Sequence, residues 1–219
     1  MNAFLSPLRR PFGRRKRLPF SIKKWAARFL DTTRSLIKNL WRYASGEARR
    51  RAVIARLQKG DIILASPRIT TLSPIALSYR LILRSQYVHS MIYIGDGKIV
   101  HTTARDGVVV SRLPRSIFRR ERYAIFRVKD LDRERRDRVV QEALKWRHRK
   151  LDVAGLITTI PSRLIGLQRP LLRWEKNRIW CSKLVYQAFS AEHIRLVPPE
   201  SSQSITSEDL SRSGMVERI

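Results

Sequence analysis

Three side chains in this 219-residue chain have the types that nucleophilic catalysis needs: Cys181, His89 and His101. A thiolate is a strong nucleophile, and an imidazole exchanges protons near neutral pH. Cys181 lies at the start of WCSKLVYQAF, residues 180 to 189, where Leu184, Val185, Ala188 and Phe189 mark one apolar helical face. The thiol therefore falls at or just inside a first helical turn. There the helix dipole and free N–H groups favour the thiolate and predict a lowered pKa. In that arrangement His89 is general base and then general acid, and His101 orients its ring. The backbone N–H groups of Cys181 and Ser182 are the candidate oxyanion hole. Two competing readings use the same residues. A lone cysteine on an apolar helix is commonly a small buried hydrophobe, and two histidines with one cysteine are also a zinc donor set. Zinc ranks below catalysis, and no cofactor is expected. His148 and His193 sit on charged helical stretches and read as surface residues.

Both catalytic candidates of the imidazole type lie in YVHSMIYIGDGKIVHTT, residues 87 to 103, on either side of Gly95-Asp96-Gly97. Apolar and polar residues alternate along both arms, and Asp-Gly between such arms signals a hairpin. Register decides what the histidines can do. A two-residue loop at Asp96-Gly97 pairs Ile92 with His101 and sends the rings to opposite faces, because side chains alternate with period two. A three-residue loop, Gly95 to Gly97 with the last glycine left-handed, pairs Met91 with His101 and His89 with Thr103. Both rings then share one face as diagonal neighbours, about 7 to 8 Å apart at their backbones. The three-residue loop is the expected one, with His89 rather than His101 facing the sulfur.

The chain around these elements is strongly basic, with 46 Lys and Arg against 18 Asp and Glu, net +28. Such a balance predicts affinity for polyanions, whether anionic lipid surfaces, nucleic acid or acidic polymers, and charge alone does not choose among them. Residues 1 to 60 alone carry 17 Lys and Arg against 2 acids. Residues 1 to 20 combine prolines with arginines and read as an extended arm, either a solubilising tail or a polyanion contact. From Ser21 to Ala44 the pattern is helical. Ile22, Trp25, Ala26, Phe29, Thr33, Leu36, Ile37, Leu40 and Ala44 form one stripe, and Lys23, Lys24, Arg28, Arg34, Lys38 and Arg42 lie opposite. This helix either docks its apolar stripe on a neighbouring domain or lies in a membrane interface; a transit peptide is a smaller alternative. Trp25, Phe29, Lys24, Arg28, Lys38 and Arg42 are the candidate contacts to a membrane or polyanion. Gly46 is expected to end the helix, and residues 47 to 58 to form a second one closed by Gly60.

The single cysteine excludes an internal disulfide and fits a reducing compartment. Neither a membrane-spanning run nor the apolar core of a signal peptide is expected, which places the chain in the cytoplasm, with peripheral membrane contact allowed. Strands are predicted at 61 to 65, in the hairpin, at 107 to 111 and at 123 to 128. Helices are predicted at 74 to 84 after a proline-containing loop, from 132 through 147, at 151 to 160 with Pro161 as the stop, and from Cys181. Residues 161 to 178 read as a basic loop, and residues 207 to 210 as a short helical turn without chemistry. The expected fold is α+β: a small antiparallel sheet or barrel packed with helices. The domain is expected over 58 to 219, behind a basic helical extension over 1 to 57.

Three segments in order, LQKGDIIL at 57 to 64, HSMIYIGDGKIVH at 89 to 101 and WCSKLV at 180 to 185, resemble the permuted papain-like branch of the NlpC/P60 superfamily. The YiiX/YebB-like cysteine hydrolases are the nearest type. The resemblance runs from about Gly60 to Phe189. It implies that a histidine on a barrel strand precedes the cysteine that opens a helix, with Cys181 as nucleophile and His89 as catalytic histidine. His101 falls where YiiX-like members typically carry Glu and where lecithin:retinol acyltransferase-like relatives carry histidine. Leu151-Asp152 resembles a Tyr-Asp of relatives, without the tyrosine. The implied activity is a cysteine hydrolase that cleaves an amide or ester through a thioester acyl-enzyme, on a peptide, cell-wall or lipid acyl substrate. The alternative is a basic membrane- or nucleic-acid-binding module with an idle hydrolase fold.

Overall fold

The run Ile62-Ile63-Leu64-Ala65-Ser66 is buried at every position, as a strand must be when both faces of its sheet are covered. It forms β1 (Ile62–Ser66) at the middle of a six-stranded sheet. The other strands are β2 (His89–Gly95), β3 (Lys98–Thr103), β4 (Gly107–Arg112), β5 (Arg122–Val128) and β6 (Val216–Arg218), in the order β4-β3-β2-β1-β5-β6. Every pairing is antiparallel. The computed structural model describes residues 20–66, 74–114, 122–172 and 177–219. The class is α+β as expected. Among the described strands the sheet is open, with β4 and β6 as its edges. Residues 1 to 19 of the arm expected over 1 to 20, Pro67 of the expected loop, and Arg173 and Lys176 of the expected basic loop lie outside the described residues.

Strict alternation sorts side chains onto two faces. On one face Ile62, Leu64, Ile92, Val100 and Phe126 join Val139 and Ala143 of α3 (Arg133–Leu144) and Leu184, Val185 and Phe189 of α5 (Cys181–Ser190). On the other, Ile63, Ala65, Met91, Tyr93, Ile99 and Ile125 are covered by Val53, Ile54 and Leu57. Those residues belong to the C-terminal end of α1 (Phe20–Ile54) and the turn after it. Helix α1 runs unbroken through Gly46, so neither the stop at Gly46 nor a separate second helix is present. A mid-helix glycine costs about 1 kcal/mol relative to alanine, and burying Val53 and Ile54 against the sheet outweighs it. The compact unit accordingly opens at Ser45 rather than at residue 58.

The other described α-helices are α2 (Pro74–Ile82), α4 (Val153–Leu164) and, near the C-terminus, α6 (Ser207–Ser211). Pro161 falls inside α4 instead of stopping it. Proline removes one main-chain bond, while the hydroxyls of Thr158, Thr159 and Ser162 each donate to a carbonyl four residues back. Asp152 caps α4 by accepting the Gly155 N–H at 2.8 Å and is buried, which gives it a structural role. His148 and His193 are exposed, as expected.

Asp61, 1% exposed, is clamped by Arg127 at 2.8 and 2.7 Å and by the Gln58 N–H at 2.7 Å. Removing one partner of such a pair leaves a buried charge unanswered. Asp61→Ala is expected to lower the unfolding free energy by about 3 kcal/mol. The double variant Asp61→Leu with Arg127→Leu should lose less in urea melts, and equal losses would contradict the pairing.

Candidate active site

The hairpin reaches the same-face arrangement by a different route from the one expected. Asp96 and Gly97 both have positive φ, 52° and 66°, and form a two-residue turn closed by the Gly95↔Lys98 pair. This is the twist-matched hairpin turn that Asp-Gly favours. By itself it would pair Ile92 with His101. A β-bulge between Tyr93 and Gly95 absorbs Ile94, so the register becomes Tyr93↔Ile99, Ile92↔Val100 and Met91↔His101. The expected Met91–His101 pair is therefore present, whereas the expected His89–Thr103 pair and the three-residue loop are not. Gly97 also lies under α1: a Cβ there would come within 3.1 Å of both Arg50 and Ile54 side-chain atoms.

With both rings on one face, His89 Nε2 and His101 Nδ1 are 3.0 Å apart, and the rings meet edge to face. His101 Nε2 lies 3.1 Å from Ser111 Oγ on β4. The three groups form a chain across β2, β3 and β4. Burial, with His101 as a second cause, pulls the pKa of His89 down to about 3, and burial also lowers that of His101. Both imidazoles are neutral at pH 7. Sequence reasoning missed Ser111, because its placement depends on the β3–β4 register, in which Ile99 pairs with Ser111 and His101 with Val109.

Cys181 is the first residue of α5, as expected, and its N-cap Trp180 makes no side-chain capping bond. Helix N-terminal N–H groups that a cap would consume are thus left over. The sulfur is approached by the main-chain N–H groups of Ser90, Ser182 and Cys181 itself and by the Ser207 hydroxyl. All four favour the thiolate. Burial opposes them and is the larger effect, so the thiol pKa is raised rather than lowered. The expectation of a lowered pKa counted the helix terminus and left out the surroundings that tertiary packing supplies. The residue keeps some solvent exposure although its thiol is enclosed.

The β2–β3 ladder has its last pair at Met91↔His101. Ser90, just beyond it, turns its N–H to the sulfur, so the strands part where α5 meets the sheet. No hydrogen bond joins the Cys181 sulfur to His89 or His101; what connects the two halves is the backbone step from His89 to Ser90.

Further groups collect around the thiol. Ser90 Oγ and Ser207 Oγ are 2.7 Å apart and buried. Ser207 begins α6, whose capping box joins Thr206 and Asp209, and Arg163 of α4 grips Asp209 at 3.1 and 2.5 Å. Arg163 was expected in a loop, and residues 207 to 210 were given no chemistry; here they hold a hydroxyl against the sulfur. The capping pattern Thr-x-x-Asp was the signal that the sequence offered. Ser182 Oγ and Trp180 Nε1 both donate to the Ile205 carbonyl, at 2.8 and 2.9 Å, fixing the first turn of α5. Tyr79 of α2 lies within the electrostatic reach of Cys181; burial raises its pKa, and its hydroxyl donates to the Leu156 carbonyl at 2.7 Å. Thr102 Oγ1 is buried without a partner. The candidate surface contacts Lys24, Trp25, Arg28, Phe29 and Lys38 are in the other unit of the chain and exposed; the Arg42 side chain lies outside the described residues.

Ser111→Ala is expected to slow any reaction that needs the His89 ring by about tenfold, the worth of one hydrogen bond of about 1.4 kcal/mol. Ser111→Thr should retain most of the rate. A melting temperature unchanged in both would separate ring positioning from folding, and an unaltered rate in Ser111→Ala would remove Ser111 from the chain.

No family model and no curated protein matches the sequence. Among solved structures, the metalloprotein yiiX from Escherichia coli O157:H7, DUF1105, superposes with a TM-score of 0.54 at 17% identity, over 74% of this chain and 96% of that one. At that identity the likeness is one of fold, and this chain has a YiiX-like α+β fold.

Proposed function

We propose that the protein is a cysteine hydrolase or acyltransferase, in which Cys181 attacks an amide or ester carbonyl and carries the acyl group as a thioester. The observation that supports it best is the coincidence of a solitary thiol at a helix N-terminus with a buried His89–His101–Ser111 chain starting on the neighbouring strand residue. The NlpC/P60-type motif order agrees with the same roles.

The resting pair is a neutral thiol and a neutral imidazole. His89 Nε2 faces His101, which leaves Nδ1 as the nitrogen for the thiol proton. A base at Nδ1 requires His89 to keep its proton on Nε2 and donate that N–H to His101 Nδ1, and His101 to donate its Nε2–H to Ser111 Oγ. As the S–C bond forms, the thiol proton moves to His89 Nδ1 and the carbonyl electrons move to oxygen. Collapse of this intermediate breaks the bond to the amine or alcohol, which leaves with that proton. Water or an acceptor hydroxyl then attacks the thioester and loses its proton to His89; the C–S bond breaks and that proton passes to the departing sulfur, which restores the neutral thiol and the neutral imidazole. The N–H groups of Cys181 and Ser182 serve the developing oxyanion.

The solved neighbour is described as a metalloprotein. Among the described residues here, no three His, Cys, Asp or Glu side chains converge as a metal ion needs. The described residues do not fit one.

Incubation with p-nitrophenyl acetate, followed by peptide mass mapping, tests the proposal. One acetyl group should appear on Cys181, with p-nitrophenol released in a burst and then at steady state. Acetylation confined to lysines, with the Cys181 peptide unmodified, would favour the alternative of a binding module with an idle hydrolase fold.

A further inference from the structure

We infer that residues 20 to 44 of α1 are a binding surface for an anionic lipid bilayer, on which the helix lies along the membrane plane. The inference is independent of the chemistry proposed for Cys181.

Three observations carry it. First, the helix separates its side chains by kind. Trp25, Phe29, Leu36 and Leu40 recur at three- and four-residue spacing along one stripe, each more than half exposed, from 56% to 68%. Ile37 and Trp41 widen the stripe, at 66% and 72%. Trp25 and Phe29 stack with ring centroids 5.6 Å apart, presenting a flat aromatic surface. Such a contiguous apolar stripe is more than scattered surface residues provide.

Second, the opposite arc is charged with one sign. Lys24, Arg28, Arg34 and Lys38 lie on it, and residues 20 to 44 contain one acid, Asp31. A second protein surface would need acidic groups on two sides of the helix to answer this distribution. A bilayer with anionic headgroups supplies both parts at once: acyl chains beneath the stripe and negative charge at the level of the basic arc. Tryptophan and tyrosine suit that boundary because they join an apolar body to a polar tip; Tyr43 is also exposed.

Third, the segment has the length and composition of a helix that lies on a membrane. Twenty-five residues span roughly 37 Å at 1.5 Å each, yet no described helix is apolar enough to cross a membrane. Nucleic acid would satisfy the charge and leave the apolar stripe in water.

The test uses the full chain and vesicles of phosphatidylcholine with or without 30% phosphatidylserine. The chain should float with the anionic vesicles and bind pure phosphatidylcholine at least tenfold more weakly, with binding to the anionic vesicles reduced by 0.5 M NaCl. Trp25→Glu combined with Leu40→Glu changes two exposed positions and should lower anionic-vesicle binding at least tenfold, as should Lys24→Glu combined with Lys38→Glu. Circular dichroism and the melting temperature of each variant confirm its folding. Absence of flotation, or undiminished flotation of both folded variants, overturns the inference. It is equally overturned if the apolar variant keeps its vesicle affinity but abolishes a dimer, which assigns the stripe to a second copy. Retention on RNA without binding to anionic vesicles also overturns it and assigns the basic arc to nucleic acid.

Discussion

In His89→Asn, acylation of Cys181 by an activated ester falls by at least about a hundredfold, the lower end of what a positioned general base contributes. Cys181→Ala abolishes it. The size of the effect follows from the state of the thiol: burial raises its pKa, so little thiolate exists at pH 7 without a base to take the proton. A site that stored a preformed thiolate would lose far less when the imidazole is removed. His101→Gln gives an intermediate loss, because an amide can still accept from the His89 ring while its geometry differs. Stopped-flow release of p-nitrophenol measures all three. A His89→Asn rate within threefold of the parent would mean that the ring does not serve the sulfur, whichever face of the sheet it shares with His101.

Acid destabilises the protein in a range where an exposed histidine would be silent. His89 is neutral in the fold, with its pKa near 3, whereas in the unfolded chain it titrates near 6.5. Between those values the unfolded state binds one more proton, so its stabilisation by acid lowers the unfolding free energy as pH falls. The contribution is intact above pH 6.5 and is lost progressively down to about pH 3. From pH 6.5 to 5 this one group costs roughly 2 kcal/mol, at about 1.4 kcal/mol per pH unit. His101, also lowered by burial, acts in the same direction. Urea titrations at pH 7 and pH 5 read the difference, and His89→Asn should show a shallower decline by about that amount. A parallel decline in parent and variant would place the His89 ring in solvent. The same neutral imidazole predicts an acylation rate that stays flat from pH 7 to 5 while the protein is folded; a midpoint near 6.5 would identify an ordinary solvated histidine instead.

The elements that carry the chemistry were legible because they depend on local rules. Asp96-Gly97 between alternating arms signalled the hairpin, and the spacing of Leu184, Val185, Ala188 and Phe189 placed Cys181 at a helix start. The continuous apolar run 62 to 65 read as a buried strand and is one. Where two features were in balance, local rules failed. Asp-Gly asked for a two-residue turn and the histidines for an odd register; the bulge at Ile94 satisfies both, and no residue type announces it. Gly46 and Pro161 read as helix ends because their local penalties are real, yet both helices run on, the first to where Val53 and Ile54 pack against the sheet.

What the sequence determined by itself was the set of candidates: one thiol at a helix N-terminus, two histidines in one hairpin, a net charge of +28 concentrated toward the N-terminus, and an amphipathic helix to carry part of it. Only the tertiary structure decided their electrostatic state and their neighbours. Ser111 reaches His101 through the β3–β4 register, and Ser207 reaches the sulfur because Arg163 and Asp209 fix the start of α6. The pKa values of Cys181 and His89 moved against the local expectation for the same reason. A helix dipole is set by residues adjacent in sequence, whereas the loss of water around a buried group is set by every element that packs over it.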